Sequence, residues 1–337
     1  MPMSATASTR ETGPRTLEQT ADIDFSVVSG SREQLLFECI ASLYDVMRDS
    51  RYTWRVTAIC NTPGTGLAQR LVERFPAVLT VENDEPRGFA ANHNTVLSSS
   101  DARYVWLLND DIVMLPDSVD KVIRFMDMRE NARVAVVSPR LLNTDGSLQP
   151  STYSFPSMPQ IMLAYSGLRE NAITDRVLRL AAPILRSRKG SSRFWEHDAT
   201  IDVDTLRGAC VAVRMEAVRD VGTMVEVALV GAEETEWHHR FQARRWRVVF
   251  FAEASVIHHG SQTVSDGSRN LYPEYLKGAL HFFRARRPAA LFSVYCVALL
   301  AMYQTQMALA RLRRDPAAFD LARRYAAVTS EAMRVTR

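Results

Sequence analysis

Two adjacent carboxylates, Asp110 and Asp111, follow the apolar run of residues 104–108 and Asn109. Two aspartates at the end of a buried strand would repel each other strongly in a dry environment, and a bound cation is the natural compensation. Proteins use hard divalent cations, held by one or two carboxylates, to neutralise phosphate groups such as a departing diphosphate. The pair therefore indicates a metal and diphosphate site, although the two residues alone fit a solvated turn with helix-capping character equally well.

A second acidic group, Glu233, Glu234 and Glu236, has the residue type needed for a general base. A carboxylate can take the proton from a hydroxyl group as that group attacks. On a helix, residues 233 and 236 share a face and 234 points elsewhere, so one acid can serve the chemistry while another binds a basic partner. The alternative is an acidic first turn that only complements the helix dipole.

His258 and His259 follow a strand-like segment, residues 254–257. A neutral imidazole at the carboxyl end of a strand can complete a metal site. Hydrogen-bonded histidines near turns are also common, so the pair by itself leaves both interpretations open.

Apolar runs alternate with helical patterns in the first part of the chain. Strands are predicted at 25–28, 54–60, 78–81, 104–108, 134–137, 210–214 and 248–251, with helices at 67–74 and 90–97. Such alternation predicts right-handed βαβ units and a mainly parallel sheet, with the ligand site beyond the carboxyl ends of the strands. Residues 141–203 break the pattern, and we expect loops and helices there that face an acceptor.

The chain of 337 residues has 41 basic and 38 acidic residues, a balance that does not favour a nucleic-acid partner. Local basic clusters, which could bind an anionic headgroup or glycan or merely be solvated, occur at Arg186, Arg188, Lys189 and Arg193, and at Arg284, Arg286, Arg287, Arg311, Arg313 and Arg314. The spacing of Cys39, Cys60, Cys210 and Cys296 fits neither a metal cluster nor a disulfide scaffold, which suits a reducing cytosol.

Both ends of the chain differ from its centre. Residues 1–22 are polar and lack the apolar core of a secretion signal, so we expect a disordered lead-in. Residues 289–310 carry no charge and are flanked by arginines. Their polar residues favour a helix that packs on the domain or lies in a membrane interface over one that spans a bilayer.

Taken in order, several short motifs resemble those of family 2 glycosyltransferases with the GT-A fold, in particular the rhamnosyltransferase-like branch that builds bacterial surface polysaccharides. The resemblance runs from about residue 25 to about residue 287. It rests on Arg-Gly-Phe-Ala-Ala-Asn-His-Asn at 87–94, Leu-Leu-Asn-Asp-Asp at 107–111, Leu-Arg-Gly-Ala-Cys at 206–210, Glu-Glu-Thr-Glu at 233–236, and Arg240 with Trp246-Arg247 and His258-His259. Several weak motifs in one correct order are more specific than any of them alone.

This resemblance implies an α/β fold of the GT-A type, Rossmann-like, with a mixed, mostly parallel sheet flanked by helices and a C-terminal helical extension. The catalytic domain would cover residues 23–271, with a nucleotide-sugar half at about 23–140 and an acceptor and base half at about 141–271. The helical extension would cover residues 272–337.

The resemblance also implies roles for individual residues. Glu234 resembles the catalytic base, and Asp111 and His258 resemble ligands of Mg²⁺ or Mn²⁺. Residues expected to line the nucleotide sugar are Ser29, Cys60, Asn61, Arg87, Gly88, Phe89, Asn92, Asn94, Asn109 and Asp110. The chain departs from the family at four places: Cys60 replaces an aspartate that contacts the nucleobase, Ser29-Gly30-Ser31 replaces Thr-Tyr-Asn, Glu234 replaces an aspartate, and Val225 replaces an acid of the segment after Gly222.

The expected reaction is a single displacement with inversion, from a dTDP- or UDP-sugar, rhamnose first, to a glycan or a lipid-linked glycan. A cytoplasmic location is expected, and peripheral contact with the inner face of the cell membrane and homodimer formation are left open. Because of the departures at Cys60 and Glu234, a non-catalytic member that binds nucleotide sugar or glycan in a polysaccharide-assembly complex is the alternative. A nucleotidyltransferase would need a glycine-rich loop after the first strand, and Ser29-Gly30-Ser31-Arg32 is a poor version of one.

Overall fold

The computed structural model describes residues 21–30, 32–166, 196–226, 233–260 and 264–334. All but the last two residues of the predicted lead-in, and the basic cluster around Arg188, lie outside the described residues. The predicted acceptor-facing region, residues 141–203, is described up to residue 166 and again from residue 196.

The first half of the chain alternates strands and helices as predicted. Its elements are β1 (Ile23–Ser29), α1 (Glu33–Met47), β2 (Trp54–Cys60), α2 (Leu67–Arg74), β3 (Leu79–Glu82), α3 (Phe89–Ser99) and β4 (Tyr104–Asn109). These four strands are parallel, in the order β3-β2-β1-β4. Ser29, Cys60, Glu82 and Asn109 therefore end neighbouring strands at the same edge of the sheet.

The second half extends this sheet with both parallel and antiparallel strands. Its elements are β5 (Ile112–Met114), α4 (Ser118–Asp127), a 3₁₀ turn (Arg129–Asn131), β6 (Val134–Leu142), β7 (Leu148–Gln149), β8 (Thr152–Tyr153), α5 (Met158–Tyr165), β9 (Ile201–Asp202), β10 (Thr205–Leu206), β11 (Cys210–Arg214), α6 (Met215–Val221), α7 (Glu233–Ala243) and β12 (Arg247–His258). The main strand order is β3-β2-β1-β4-β11-β6-β12-β5, with β11 antiparallel to both of its neighbours. Strand β7 also pairs with β6, and β9 with β12. The segments at 248–251 and 254–257 form one strand, β12, whose pairing with β6 shifts register between Phe251 and Ser255.

The side chains of strand β4 show that the sheet is buried on both faces. Tyr104, Trp106 and Leu108 lie in one apolar cluster with Phe25 and Trp54. Val105 and Leu107 lie in the other cluster, on the opposite face. Because successive side chains point to opposite faces, a strand covered on both sides reads as one continuous apolar run.

Three C-terminal helices form a separate layer: α8 (Val264–Arg284), α9 (Ala289–Arg313) and α10 (Pro316–Arg334). They share an apolar cluster with α5 that includes Leu280, Phe283, Phe292 and Tyr303. The predicted helical extension is therefore present. Among the described residues one helix, α9, is long and apolar enough to cross a bilayer by length and composition.

Candidate active site

The register of the sheet brings His258 to the two aspartates. Asp110 and Asp111 form the turn between β4 and β5, and β5 pairs antiparallel with the end of β12, where Ile112 faces His258. The backbone N–H of His259 donates to the carbonyl oxygen of Asp111 at 2.9 Å. As a result, His258 Nε2 lies 3.3 Å from Asp111 Oδ1.

Gln149 determines which ring nitrogen of His258 faces the carboxylate. His258 Nδ1 is hydrogen-bonded to Gln149 Oε1. An amide oxygen can only accept, so Nδ1 carries the hydrogen, and Nε2 of a neutral ring presents a lone pair to Asp111. The same Gln149 oxygen accepts from Arg207 at 3.1 Å, which fixes its position.

These two facing atoms fit a divalent cation. Asp111 Oδ1 is buried and makes no hydrogen bond, and a buried carboxylate oxygen without a donor is costly. Two ligands at right angles, each about 2.1 Å from a metal ion, lie about 3 Å apart. No group of three or more His, Cys, Asp or Glu side chains that could hold a metal occurs in the described part of the chain, and a cation held by one or two protein groups shares its other positions with phosphate oxygens and water.

Arg32 supplies positive charge on the other side of the aspartates. Its guanidinium donates to Asp111 Oδ2 at 3.2 Å and, more closely, to Asp110 Oδ1. Burial raises the pKa of Asp111, but its neighbours His258 and Arg32 outweigh burial and leave that pKa below its ordinary value. Asp111 is therefore held as a carboxylate, as a metal ligand must be.

Asp110 has a different environment. Burial raises its pKa despite the nearby Arg32 charge and a hydrogen bond of 2.9 Å from the Ser29 hydroxyl. Asn109 contributes its backbone to the same turn, because its N–H donates to Ala209 O at 2.9 Å and its carbonyl oxygen faces Cys39 Sγ. Ser29, Asn109 and Asp110 thus lie around the metal-site candidate.

Asparagine amides connect the ends of β2 and β3 to the start of α3. Asn61 Oδ1 accepts from the Arg87 N–H at 2.8 Å, and Asn61 Nδ2 donates to Arg87 O at 2.9 Å. Asn83 donates to Asn61 and to Asn92, and Asn92 donates to Arg87 O at 3.0 Å. The predicted residues Asn61, Arg87 and Asn92 are therefore brought together, and the amides hold the loop before α3 in one conformation.

Cys60 ends β2 as a fully buried thiol. Burial raises its pKa to about 11, so the thiol is neutral at physiological pH. A neutral thiol is a weak hydrogen-bond partner. Recognition of a nucleobase at this position would therefore differ from that by an aspartate.

The start of α3 anchors the segment that precedes α7. Asn94 donates to Met224 O and to Glu226 Oε1, both at 2.9 Å, and accepts from Met224 N. Gly88 caps the helix with extended backbone. The Phe89 ring packs edge-on against His93, with ring centres 4.5 Å apart, and burial lowers the pKa of His93 to about 3, so this histidine is neutral.

Glu234 lies in the first turn of α7 against the loop before β11. Its Oε1 accepts from the Gly208 N–H at 3.1 Å. Burial raises the pKa of Glu234 above the ordinary value. A carboxylate with a raised pKa is a stronger base once it is ionised, so it is suited to take a proton from a hydroxyl.

The two acidic neighbours of Glu234 lie in different environments. Glu236 accepts from Arg240 at 2.7 Å and from Arg286 at 3.4 Å, so this acid binds basic partners, as the helical spacing allowed. Glu233 is buried. Of the three acids, Glu234 is the one whose carboxylate accepts from the Gly208 N–H.

Gly208→Ala is expected to lower catalytic turnover at least about tenfold, because a displacement of about 1 Å at a catalytic group can cost about a hundredfold. A Cβ atom at position 208 would lie 2.3 Å from Glu234 Oε1 and 2.9 Å from Phe89 Cζ. The measurement is kcat for the variant, with thermal unfolding to show that the fold is kept. Gly30→Ala is the matched control, since its Cβ would meet nothing within 4 Å; equal turnover in both variants would contradict the prediction.

Sequence reasoning missed four residues at this site: Arg32, Asn83, Gln149 and Arg207. Arg32 and Asn83 follow β1 and β3, so the sequence pattern could have placed them at the carboxyl edge of the sheet, next to the predicted site. Arg207 belongs to the motif at 206–210, which gave it no individual role, and Gln149 gave no signal, since its partner His258 is distant in sequence.

Part of the chain matches a known protein family, and its fold is similar to solved structures. Residues 28–180 match the model of the glycosyl transferase family 2. No curated protein sequence matches the chain. Among solved structures, the chain is similar to GalNAc-T7 with UDP, GalNAc and Mn²⁺, at 12% identity and a TM-score of 0.53 over 77% of this chain. It spans 48% of the length of that GalNAc-T7 chain.

A second similar structure covers nearly the whole chain. The mannosyltransferase PcManGT from Pyrobaculum calidifontis, in complex with GDP-Man and Mn²⁺, has 14% identity and a TM-score of 0.50 over 96% of this chain and 90% of that one. The predicted fold class, a GT-A-like mixed sheet with a C-terminal helical region, is confirmed.

Proposed function

We propose that the protein is a glycosyltransferase that moves a sugar from a nucleoside-diphosphate donor to a carbohydrate or lipid-linked glycan acceptor with inversion, a proposal that the family match over residues 28–180 and the fold support. The observation that carries the proposal is the pairing of Asp111 Oδ1 with His258 Nε2, 3.3 Å apart, at the carboxyl edge of the sheet. Both atoms present lone pairs to one point, where donor phosphates are expected in an open α/β sheet.

Asp111 and His258 would hold Mg²⁺ or Mn²⁺, and the cation when bound would neutralise charge on the leaving diphosphate. Both similar structures contain Mn²⁺, which supports a divalent metal here. Arg32 adds a fixed positive charge beside the same carboxylates. The diphosphate would therefore bind where Ser29, Arg32 and Asp110 converge.

Glu234 is proposed as the base that takes the proton of the acceptor hydroxyl. The Gly208 N–H orients one oxygen of its carboxylate, and its other oxygen can accept the proton. The amide network of Asn61, Asn83 and Asn92 would fix the donor-side loop, and Asn94 would fix the segment that leads to α7.

The donor is proposed to be a dTDP- or UDP-sugar, with rhamnose first on the resemblance to the rhamnosyltransferase-like branch. The two similar structures contain UDP and GDP-mannose, so a donor panel should include uridine, deoxythymidine and guanosine nucleotides. A cytoplasmic location and a role in surface-polysaccharide synthesis belong to the same proposal.

Hydrolysis of a panel of nucleotide sugars by the purified chain tests this function. We expect one donor to be hydrolysed with Mn²⁺ or Mg²⁺ and not with a chelator, because the diphosphate needs a counter-charge to leave. Cys60, which cannot replace an aspartate at the nucleobase, favours one alternative, a non-catalytic protein that binds donor or glycan. Binding without turnover of any donor, in the presence of metal and acceptor glycans, would support that alternative.

A further inference from the structure

One face of helix α9 is buried against its neighbours, and among the described residues the opposite face is exposed. Phe292, Leu299 and Tyr303 are fully buried in the helical layer. On the other side, Val294 is 66% exposed and Leu312 is 81% exposed. The exposed apolar side chains of this helix are Leu291, Val294, Val297, Leu309 and Leu312, and we call them the apolar face.

The apolar face carries no charge from residue 291 to residue 309. Over this stretch the other exposed side chains of α9 are Ala301, Gln304, Thr305 and Ala308, and the first exposed arginine of the helix, Arg311, precedes Leu312. From residue 291 to residue 309 the uncharged stretch is about 27 Å long at about 1.5 Å per residue. Scattered exposed apolar residues are normal, but an uncharged stripe of this length with five large apolar side chains along the helix marks an interaction surface.

Arginines lie at both ends of this stripe. Arg287 precedes the helix, and Arg311, Arg313 and Arg314 end it, all exposed. Asp315 is an exposed acid at the same end, and its carboxylate accepts from the Ala318 N–H at 3.0 Å. The ends therefore carry net positive charge around an apolar centre.

We propose that the apolar face of α9 docks in the interface of an anionic lipid bilayer, with the helix lying parallel to the membrane plane. Apolar side chains enter the boundary between headgroups and acyl chains, while arginines at both ends contact anionic headgroups. This inference is independent of the sugar chemistry proposed above.

The neighbouring helix excludes a spanning orientation. Tyr303 of α9 packs on Tyr325 of α10, with ring centres 5.4 Å apart, so α10 would have to enter the bilayer with α9. The middle of α10 carries Asp320, Arg323 and Arg324. Charged side chains are expensive in a bilayer core, whereas a helix in the interface exposes only its apolar side to lipid.

A second copy of the chain fits the apolar face less well. In a two-fold dimer the same patch meets itself. Antiparallel pairing of two α9 helices would place Arg287 of one copy beside Arg311 and Arg313 of the other, and parallel pairing would place each arginine beside its own copy. Like charges would meet at both ends in either case, which disfavours the contact.

Flotation of the full-length protein with lipid vesicles tests the proposal. The native chain is expected to float with vesicles containing phosphatidylglycerol and to bind phosphatidylcholine vesicles more weakly. Val294→Gln with Val297→Gln and Leu312→Gln should reduce the partition coefficient at least about tenfold, because three apolar groups no longer enter the interface. Replacing Arg287, Arg311, Arg313 and Arg314 by Gln should remove the preference for the anionic lipid.

The matched control replaces exposed apolar residues elsewhere, Val72 and Met128, with Gln. It should float like the native chain, and all variants should keep the native circular dichroism spectrum and donor hydrolysis in solution. The proposal is wrong if the native chain stays unbound, or if the α9 triple variant floats equally well. It is also wrong if the native chain is a dimer by light scattering that the triple variant converts to a monomer without any change in flotation.

Discussion

Glu234→Gln is expected to lower kcat for transfer, and for donor hydrolysis, by about a hundredfold to ten thousandfold, while the KM for the donor changes little. The substitution keeps the size of the side chain and an oxygen that can accept from the Gly208 N–H, but it removes the group that takes the proton. Steady-state kinetics with the donor identified from the panel provides the measurement.

The same residue predicts a pH profile. Because burial raises the pKa of Glu234 and a base must be deprotonated, turnover should increase with pH through that raised value and then level off. Glu234→Gln should remove this limb of the profile. Glu216→Gln, an exposed glutamate in the first turn of α6, is the matched control. If Glu234→Gln kept both the native kcat and the native pH profile, another group would have to be the base.

Asp111→Asn is expected to weaken Mn²⁺ binding at least about tenfold and to lower turnover at least about a hundredfold. The amide keeps the shape of the side chain, but it lacks the negative charge and has one oxygen in place of two. In the native chain one of the two carboxylate oxygens, Oδ1, faces His258 Nε2. Electron paramagnetic resonance of free Mn²⁺ measures binding without any turnover, so a loss of metal affinity can be separated from a loss of chemistry.

In the same assay, Arg32→Met is expected to change the Mn²⁺ affinity in the opposite direction. Its guanidinium now neutralises both aspartates, so its removal should tighten Mn²⁺ binding without nucleotide by about tenfold, the value of one charged hydrogen bond. Asp117→Asn is the control, since this aspartate is exposed and adopts a left-handed backbone conformation that Asn tolerates. Equal Mn²⁺ affinity in the native chain and in Asp111→Asn would remove Asp111 from the metal site.

The alternative of a non-catalytic binding protein makes different predictions for these variants. A protein that only binds donor needs the metal site for affinity but no base, so Glu234→Gln would leave donor affinity and all other properties unchanged. The raised pKa of Glu234 and its fixed orientation by Gly208 are features expected of a base. They support the catalytic proposal.

The sequence by itself determined the order of the elements and the edge at which the polar residues collect. Each strand of the first half is an apolar run that ends in polar residues, and these patterns are local. Parallel strands end at one edge, so Ser29, Asn61 and Asp110 had to lie near one another once the alternation was recognised. The uncharged helix at 289–310 was also evident, because length and composition alone define it.

Only the tertiary structure decided which atoms face each other. His258 reaches Asp111 because β12 pairs antiparallel with the short strand β5, and no local pattern encodes that pairing. Gln149, 109 residues from His258, sets its tautomer, and Arg32 lies 79 residues from Asp111. Likewise, which face of α9 is buried depends on where α8 and α10 pack. Such contacts depend on strand order, register and helix packing, which the whole chain fixes together, whereas propensity and periodicity act over a few residues.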